Sequence, residues 1–327
     1  MSENGDSTEK KPLLSVIIPV YNVEIFLREA LDSVQNQSYK NVEFIVIDDG
    51  STDSSGDIID EYQAKDDRFR IYHQENVGLS TTRNRGLSKA QGDIIYFFDS
   101  DDVLIEGAFE KVIERMQETD SQIVFFGLIL INRDGKKTRG YPVKKRSEVE
   151  KPITGKVFLQ QMITSNTYGA VVQKYFIRKS FIHNNNLTFE DNQIHEDESF
   201  TLEALCLADR ITAFSETMIK KRLREQSIMS TTKGIKNVEG WARAIERVLD
   251  FINRNDIDEQ TREAVLTRLR SIAHTAIRTL KNLDQPKKPV EYYLPNETQN
   301  NLGLLVKAHA KSTFLYRVLK FVNRKIG

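Results

Sequence analysis

The stretch from Leu14 to Asp53, LSVIIPVYNVEIFLREALDSVQNQSYKNVEFIVIDDGSTD, contains the pattern that decides the fold. Its first seven residues are a short, β-branched apolar run, which predicts a strand buried on both faces. Apolar residues then recur at spacings of four and three, as on a helix, and Asn22 is placed to cap that helix. A second apolar strand, Phe44–Ile47, follows. This stretch therefore predicts one complete βαβ unit.

The same alternation of strands and helices continues downstream. The further predicted elements are a helix with Ile58 and Tyr62, a strand around Ile71, a helix from Leu79 to Ala90, a strand from Ile94 to Phe98, a helix with Phe109 and Met116, and a strand from Ile123 to Ile131. Asp134-Gly135 after the last strand suits a hairpin turn. We therefore expect an α/β fold with a mostly parallel central sheet and helices on both faces.

The apolar pattern becomes purely helical from about residue 236. One stripe begins at Trp241 and another at Val265, which predicts two antiparallel helices. These helices could pack on the α/β region or mediate self-association into a homo-oligomer. The predicted regions are a disordered N-terminus (1–12), an α/β domain (13–230), a helical region (231–285), and a linker with a basic tail (286–327).

The formal net charge is zero, with 47 basic and 47 acidic residues in 327, but the charges are unevenly distributed. Residues 301–327 contain six basic side chains and no acidic one. An acidic body without aromatics between basic patches argues against nucleic-acid binding.

The longest apolar run is much shorter than the roughly 20 residues that cross a bilayer. The polar N-terminus lacks a signal peptide, and the single cysteine, Cys206, excludes an internal disulfide, so a cytoplasmic location is expected.

Polar and acidic residues follow three of the predicted strands: PVYN at 19–22, DDGSTD at 48–53 and DSDD at 99–102. The carboxyl ends of parallel strands share one edge of the sheet, where ligands of open α/β folds bind. A single strand-end Asp is most simply a turn former or a helix cap. Three such ends on one edge instead favour a site for a hard divalent cation, Mg²⁺ or Mn²⁺. Neither a GxGxxG fingerprint nor a Walker A loop is present, so nucleotide phosphates would be bound in another manner.

Four motifs, SVIIPVYN, VIDDGSTD, NVGLSTTRNRGL and FFDSDD, occur in this order between Ser15 and Asp102, and HEDESF and RLREQSI begin at His195 and Arg222. The set resembles the family-2 glycosyltransferases of bacterial polysaccharide and cell-surface glycan synthesis, which are inverting enzymes with the GT-A fold. This resemblance extends over about residues 13–230. It implies that this region is a GT-A catalytic domain that uses a nucleotide-sugar, with a UDP-sugar as the expected donor.

The resemblance implies roles for residues that would contact the nucleotide. Pro19 and Tyr21 would border the nucleobase, and Asp49 would accept a hydrogen bond from the N3–H group of uracil. Arg83 would approach the diphosphate, where a guanidinium can bond two oxygens.

The resemblance also identifies Asp99-Ser100-Asp101 as the DxD motif of the family. Asp101 would bind Mn²⁺ or Mg²⁺, and Asp99 would contact the ribose or the sugar. Asp102 is a candidate second ligand of the metal.

The same resemblance places Asp197 at the position of the catalytic base. In an inverting transfer a carboxylate takes the proton of the attacking acceptor hydroxyl, while the metal neutralises the departing nucleoside diphosphate. Glu196 and Glu198 flank Asp197, and their like charges favour a raised pKa, which suits a base near neutral pH. The alternative is that these acids only begin a helix, where negative charge is favourable.

The remaining candidates have weaker sequence support. His195 is expected to be a hydrogen-bonding or surface residue, because no histidine pair in the chain has the spacing of metal ligands. Arg222, Arg224 and Ser227 could cover the diphosphate as a lid, or they could belong to a solvated basic strand. Two other functions stay open: a nucleotidyltransferase with similar metal carboxylates, and a non-catalytic nucleotide- or glycan-binding module.

The C-terminal tail has an amphipathic helical pattern. On a helix, Leu315, Leu319 and Val322 share one face, and Arg317 and Lys320 lie opposite. A basic amphipathic segment of this kind is typical of peripheral attachment to a membrane surface, although a terminal helix docked on the protein would have the same pattern. The expected partners are a nucleotide-sugar donor, a glycan or lipid-linked acceptor, and the inner membrane surface.

Overall fold

Strand β1, Leu14–Val20, lies inside the sheet, and all seven of its residues are buried. The structure is a computed structural model that describes residues 11–138, 148–223 and 234–282. Successive side chains of a strand point to opposite faces of the sheet. Accordingly Ile17 packs into a hydrophobic cluster on one face and Ile18 into a second cluster on the other face. Burial of this strand on both faces, as predicted from its apolar run, is confirmed.

The described residues form nine strands and nine α-helices. The remaining strands are β2 (Val42–Asp48), β3 (Phe69–His73), β4 (Ile94–Phe97), β5 (Val103–Leu104), β6 (Ile123–Ile131), β7 (Val149–Ile153), β8 (Tyr175–Arg178) and β9 (Ile211–Arg222). The helices are α1 (Glu24–Gln35), α2 (Ser55–Gln63), α3 (Leu79–Lys89), α4 (Ala108–Glu118), α5 (Gly155–Thr164), α6 (Lys179–Asn184), α7 (Glu196–Leu207), α8 (Ile235–Arg254) and α9 (Glu259–Asn282).

The strands form one sheet in the order β3-β2-β1-β4-β8-β6-β9-β5, with β7 also paired to β9. Strands β1 to β4, β6 and β9 run in one direction, and β5, β7 and β8 run in the opposite direction. The predicted α/β class and mostly parallel sheet are therefore confirmed. The antiparallel β7 was not predicted, because its sequence, VEKPI, lacks the apolar alternation of a strand.

Helices cover both faces of the sheet. On one face, Leu27 of α1, Ile59 of α2 and Val112 of α4 belong to the same hydrophobic cluster as Ile18. On the other face, α5, α7, α8 and α9 contribute to the cluster that contains Ile17. The prediction of a two-sided arrangement is confirmed.

The C-terminal helices α8 and α9 pack on the α/β region and share its core. Trp241 is only 5% exposed, and Ile245 and Leu269 belong to the same cluster as the sheet residue Ile17. Helices α8 and α9 are joined by residues 255–258 and pack against each other and against α7 and α5. Of the two expected roles for this region, the structure displays packing on the α/β domain. No helix among the described residues is both long and apolar enough to cross a bilayer.

Candidate active site

The carboxyl ends of β1 and β2 meet at one edge of the sheet. Val20 pairs with Asp48 in the β1–β2 register, and the Asp49 N–H group donates to the Val20 carbonyl at 2.8 Å. Tyr21 lies directly after this pairing and is 49% exposed, whereas Pro19 is buried within the strand. The fold thus places Pro19, Tyr21 and Asp49 at one edge, and Tyr21 offers an exposed aromatic ring there.

Asn22 connects the loops after β1 and β2 and does not cap α1. The N-cap residue of α1 is Val23, so the predicted capping role is wrong. Asn22 adopts a left-handed conformation with φ 49°, and its Oδ1 accepts a hydrogen bond from the Thr52 N–H group at 2.8 Å. Asparagine tolerates this backbone region because its short polar side chain bonds locally. Its amide therefore fixes the two strand-end loops relative to each other.

Asp49 is a buried carboxylate that orders the turn before α3. Its Oδ1 accepts hydrogen bonds from the Val77 N–H group at 2.8 Å and from Gln74 Nε2 at 2.7 Å. Its Oδ2 accepts one from the Gly78 N–H group at 2.9 Å. A carboxylate offers about four acceptor positions, so these three bonds leave Asp49 able to accept one more hydrogen bond.

Three carboxylates gather after β4. Ligand oxygens of Asp99, Asp101 and Asp102 all lie within 4.8 Å of one another. Asp102 is fully buried, and its Oδ1 accepts a hydrogen bond from the backbone N–H group of Arg222 at 2.6 Å. Ser100 is 5% exposed. We refer to Asp99, Asp101 and Asp102 as the acidic cluster.

Lys221 of β9 contacts the acidic cluster and was missed by the sequence reasoning. Its Nζ lies 3.1 Å from Asp99 Oδ2 and 3.3 Å from Asp102 Oδ2. Gln173, also missed, donates from Nε2 to Asp99 Oδ2 at 2.8 Å. The sequence has two adjacent lysines, at 220 and 221. Their side chains point to opposite faces of the sheet, so only the orientation of β9 decides which of them reaches the acids.

The pKa values of Asp99 and Asp102 are shifted in opposite directions. Burial acts to raise the pKa of Asp99, but the charges of Lys221 and Arg83 outweigh it and lower that pKa to about 2. Burial raises the pKa of Asp102 to about 7 against the opposing charge of Lys221, with help from the negative charges of Asp101 and Asp99. The cluster therefore retains negative charge that a further cation could neutralise.

The acidic cluster has the chemistry of a site for a hard divalent cation. Mg²⁺ and Mn²⁺ prefer carboxylate oxygens, and three such groups converge here. Burial is the main cause of the raised pKa of Asp102, and the negative charges of Asp101 and Asp99 add to it. Asp101 and Asp102 therefore fit the metal-ligand roles that the sequence motif implies.

Arg83 of α3 connects the acidic cluster to α7. Its Nη2 donates to Asp99 Oδ1 at 2.8 Å, and its Nη1 donates to Glu196. The residue is only 4% exposed. Both terminal nitrogens are thus paired with carboxylates, but these bonds use only two of the five N–H groups of the guanidinium, so Arg83 could also donate to a diphosphate. A guanidinium bonded to two acids holds both elements in place.

Each acid that flanks Asp197 is paired with an arginine. Glu196 accepts from Arg83, and Glu198 accepts from Arg268 of α9, which donates through Nη2 and through Nε at 3.1 Å. No hydrogen bond from a described residue reaches the Asp197 carboxylate. Within the described part of the chain, Asp197 is therefore the acid of this segment whose carboxylate has no arginine partner and can accept a proton. The pairing of Glu198 with Arg268 could not be predicted from the sequence, because α9 lies outside the recognised motifs.

The environment of Asp197 disfavours its charged form. Burial raises the pKa of its carboxyl well above the ordinary value, and the nearby charges of Glu196 and Glu198 add to that rise. Arg83 opposes it. The like-charge effect expected from the sequence is present, but burial is the larger cause. A raised pKa is typical of carboxylates that act as acids or bases near neutral pH.

His195 begins α7 and bonds to the C-terminal helices. Its backbone is left-handed, with φ 63°. Its ring stacks on Trp241 with centroids 4.5 Å apart, and its Nε2 lies 3.0 Å from Asn237 Oδ1. The expectation of a hydrogen-bonding histidine agrees with this position. Helix α8 therefore supports the start of the helix that carries Asp197.

Arg222 differs from both of its expected roles. Its side chain is 1% exposed, so it is neither a lid nor part of a solvated strand. It donates to Glu29 Oε2 at 2.5 Å, to the Arg133 carbonyl at 2.6 Å and to the Asp101 carbonyl at 3.1 Å. A buried guanidinium with several acceptors fixes the backbone under the acidic cluster. Arg224 and Ser227 lie outside the described residues.

Comparison with protein families gives a match over the sheet and its strand-end loops. The sequence model described as Glycosyl transferase family 2 matches residues 15–184. The uncharacterized glycosyltransferase EpsJ of Bacillus subtilis (strain 168) is 33% identical over 220 residues, which are 66% of this chain and 63% of that protein. The GalNAc(5)-diNAcBac-PP-undecaprenol beta-1,3-glucosyltransferase of Campylobacter jejuni is 31% identical over 197 residues, 58% of this chain and 62% of that protein. Both matches therefore span less than two thirds of the relative's length.

Solved structures with a similar fold include S. aureus TarS. Residues 1–349 of TarS match with a TM-score of 0.69 at 20% identity, covering 96% of this chain and 92% of that chain. The same TarS piece in complex with UDP-GlcNAc matches with a TM-score of 0.62 over the same shares of the two chains, also at 20% identity. At this level of identity the likeness concerns the fold.

Proposed function

The chain belongs to glycosyl transferase family 2 and is a glycosyltransferase, and from this premise we propose a metal-dependent, inverting transfer from a UDP-sugar to a hydroxyl of a glycan or lipid-linked acceptor. One observation carries the proposal. Arg83 donates hydrogen bonds to Asp99 and to Glu196. The acidic cluster and the helix that carries Asp197 are therefore bridged by a single guanidinium group. A cation site beside an available carboxylate is the arrangement that such a transfer needs.

The donor would bind across the carboxyl edge of the sheet. The exposed ring of Tyr21 offers a stacking surface for the nucleobase. Asp49 has one acceptor position beyond its three hydrogen bonds, which suits the N3–H group of uracil. The complex of the structural neighbour TarS with UDP-GlcNAc supports a uridine nucleotide as the donor. Asp99 would contact the ribose or the sugar, next to the buried Ser100.

The chemistry would divide between the acidic cluster and Asp197. A divalent cation at Asp101, with Asp102 as a second ligand, would neutralise the charge of the departing nucleoside diphosphate. Asp197 would accept the proton of the acceptor hydroxyl as that oxygen attacks the anomeric carbon in line. Its raised pKa makes it a stronger base than an exposed aspartate. The attack from the face opposite the leaving group inverts the anomeric centre.

Sugar transfer from a panel of nucleotide-sugars tests the proposal. UDP-, GDP- and CMP-sugars would each be incubated with the protein, with and without Mn²⁺ and with candidate glycan acceptors. We expect release of UDP from a UDP-sugar only in the presence of the metal. A nucleotidyltransferase would instead act only when pyrophosphate is added, converting the UDP-sugar and pyrophosphate into UTP and the sugar 1-phosphate. Binding without turnover of any sugar nucleotide would indicate a binding module.

The acceptor is proposed to be a lipid-linked or polymeric glycan at the cytoplasmic face of the membrane. The Campylobacter relative, whose name specifies an undecaprenol-linked glycan, supports this class of acceptor. The basic tail, residues 286–327, lies outside the described residues, and its role rests on its sequence pattern. We expect a chain that ends at Gln285 to lose most of its binding to anionic liposomes in a sedimentation assay. Equal binding by a folded truncated chain would contradict the membrane role.

Arg268, which lies outside the region matched by the family model, should affect the pKa of Asp197. Its charge neutralises Glu198 and also favours the ionised form of Asp197. In Arg268→Met the pKa of Asp197 should rise, so the acidic limb of the pH profile of kcat/KM should move to higher pH. Arg270→Met is the matched control, since Arg270 lies on the same helix and pairs with Glu263 at 2.6 Å. An acidic limb at the same pH in both variants would contradict this role.

A further inference from the structure

Lys221 occupies a position inside the acidic cluster that no role in the proposed transfer explains. Its ammonium group lies 3.1 Å from Asp99 Oδ2 and 3.3 Å from Asp102 Oδ2. The negative charge of Asp101 also acts on it. The chain thus places one of its own cations among the carboxylates that are candidates to bind a metal.

The ammonium group and a divalent cation compete for these oxygens. A hard cation such as Mg²⁺ bonds its oxygen ligands at about 2.0–2.1 Å. An ion bonded to the oxygens that Lys221 contacts would lie within a few ångströms of Nζ, and two positive charges at that distance repel strongly. Binding of the metal to these oxygen atoms therefore weakens their contacts with Lys221.

The fold holds the backbone of Lys221 in place and leaves its side chain room to move. Lys221 pairs with Leu130 in the β6–β9 register. The next residue, Arg222, is bonded through its backbone N–H group to Asp102, and its side chain is buried. The side chain of Lys221, by contrast, is 22% exposed. Its flexible four-carbon stem can thus swing toward solvent while the strand stays fixed.

We propose that Lys221 is a resident counter-ion of the acidic cluster, which the metal must displace and which then pairs with the diphosphate of the donor. This inference rests on the metal site of the proposed function. Lys221 would weaken metal binding in the absence of donor, because the acids are already partly neutralised. A diphosphate offers the displaced ammonium a new anionic partner, so donor and metal would bind cooperatively.

The affinity for Mn²⁺ without donor is the first test, measured by isothermal titration calorimetry on the full chain. Lys221→Met removes the charge and keeps a chain of similar length. We expect this variant to bind Mn²⁺ at least about 10-fold more tightly than the unsubstituted protein. Lys220→Met is the matched control, since it removes the same charge from the same strand, and successive side chains of a strand face opposite ways. Its Mn²⁺ affinity should change by less than about twofold.

The second test is the effect of UDP on Mn²⁺ binding. In the unsubstituted protein UDP should tighten Mn²⁺ binding more than it does in Lys221→Met, because only the lysine gains a partner on displacement. Lys221→Arg retains the charge and should bind Mn²⁺ no more tightly than the unsubstituted protein. Lys221→Gln can still donate hydrogen bonds to the acids, and it covers the case in which Lys221→Met does not fold. It should show the same 10-fold gain.

Two results would overturn the inference. Only the second of them would also contradict the metal site of the proposed function. If the folded Lys221→Met or Lys221→Gln protein binds Mn²⁺ no more tightly than the unsubstituted chain, while Asp101→Ala binds it far more weakly, the metal site stands and the role of Lys221 is wrong. If no form of the protein binds Mn²⁺, with or without UDP, the metal site of the proposed function fails together with the inference.

Discussion

Asp197→Asn is expected to reduce the rate of sugar transfer by about 10³-fold, since a positioned general base contributes roughly 10²–10⁴. The amide has the shape of the carboxylate but cannot take the proton of the acceptor hydroxyl. The partners of the flanking acids, Arg83 and Arg268, stay in place, so donor binding should persist. Transfer measured with a saturating donor, together with the affinity for UDP, would separate the two effects.

The fold should tolerate this substitution. The pKa of Asp197 is raised in the folded protein, so its charged form opposes folding above the ordinary pKa of an aspartate, and stability falls as pH rises through that range. Asp197→Asn removes this charge and should melt at the same temperature or higher at neutral pH. Asp209→Asn is the control and should keep full activity, since Asp209 is exposed and lies two residues beyond the end of the same helix. Transfer near the original rate by Asp197→Asn would refute the assigned role.

Asp101→Ala should abolish the Mn²⁺-dependent part of nucleotide binding. Loss of groups that only orient metal ligands already costs about 10–100-fold in affinity, and loss of a ligand itself should cost at least as much. The affinity for UDP with and without Mn²⁺ would be measured by calorimetry, and we expect the two values to converge in the variant. Transfer should fall in parallel, because the leaving diphosphate would keep its charge.

Asp134→Ala provides the matched control for this experiment. Asp134 is exposed in the turn after β6, so its substitution removes a carboxylate without touching the acidic cluster. An Asp101→Ala protein that retains the full effect of Mn²⁺ on UDP affinity would show that Asp101 is not a ligand. The same measurement on Asp102→Asn would then report whether the buried neighbour binds the metal instead.

Much of the fold could be predicted from apolar runs. The bounds of β1 and β6 agree with the predicted strands Leu14–Val20 and Ile123–Ile131, because long β-branched runs have few alternative structures. Helix α7 begins at Glu196, as in the alternative in which these acids begin a helix, since negative charge is favourable in the first turn. Strands β5 and β7 escaped prediction because they are short and depend on their pairing with β9.

The candidate site was predicted unevenly. The motifs identified the acids at the strand ends and Asp197, and the structure brings these groups to one region. The predicted roles of Arg222 were wrong. A basic residue in a motif next to a phosphate site is easily interpreted as a ligand contact, whereas the structure buries this side chain and pairs it with Glu29. Lys221 and Arg268 had no distinguishing signal, since both stand among other basic residues of ordinary spacing.

The sequence by itself determined the order of strands and helices from β1 to β4, and it determined which carboxylates follow the strands, because local patterns and turn chemistry fix both. Only the tertiary structure decided which cation neutralises each acid. Lys221 reaches Asp99 across 122 residues of chain, Arg83 reaches Glu196 across 113, and Arg268 reaches Glu198 across 70. Such pairs form where packing brings buried charges together, since an unpaired buried charge is costly. The availability of Asp197, the one acid of its segment without a hydrogen bond from a described residue, is a product of that packing.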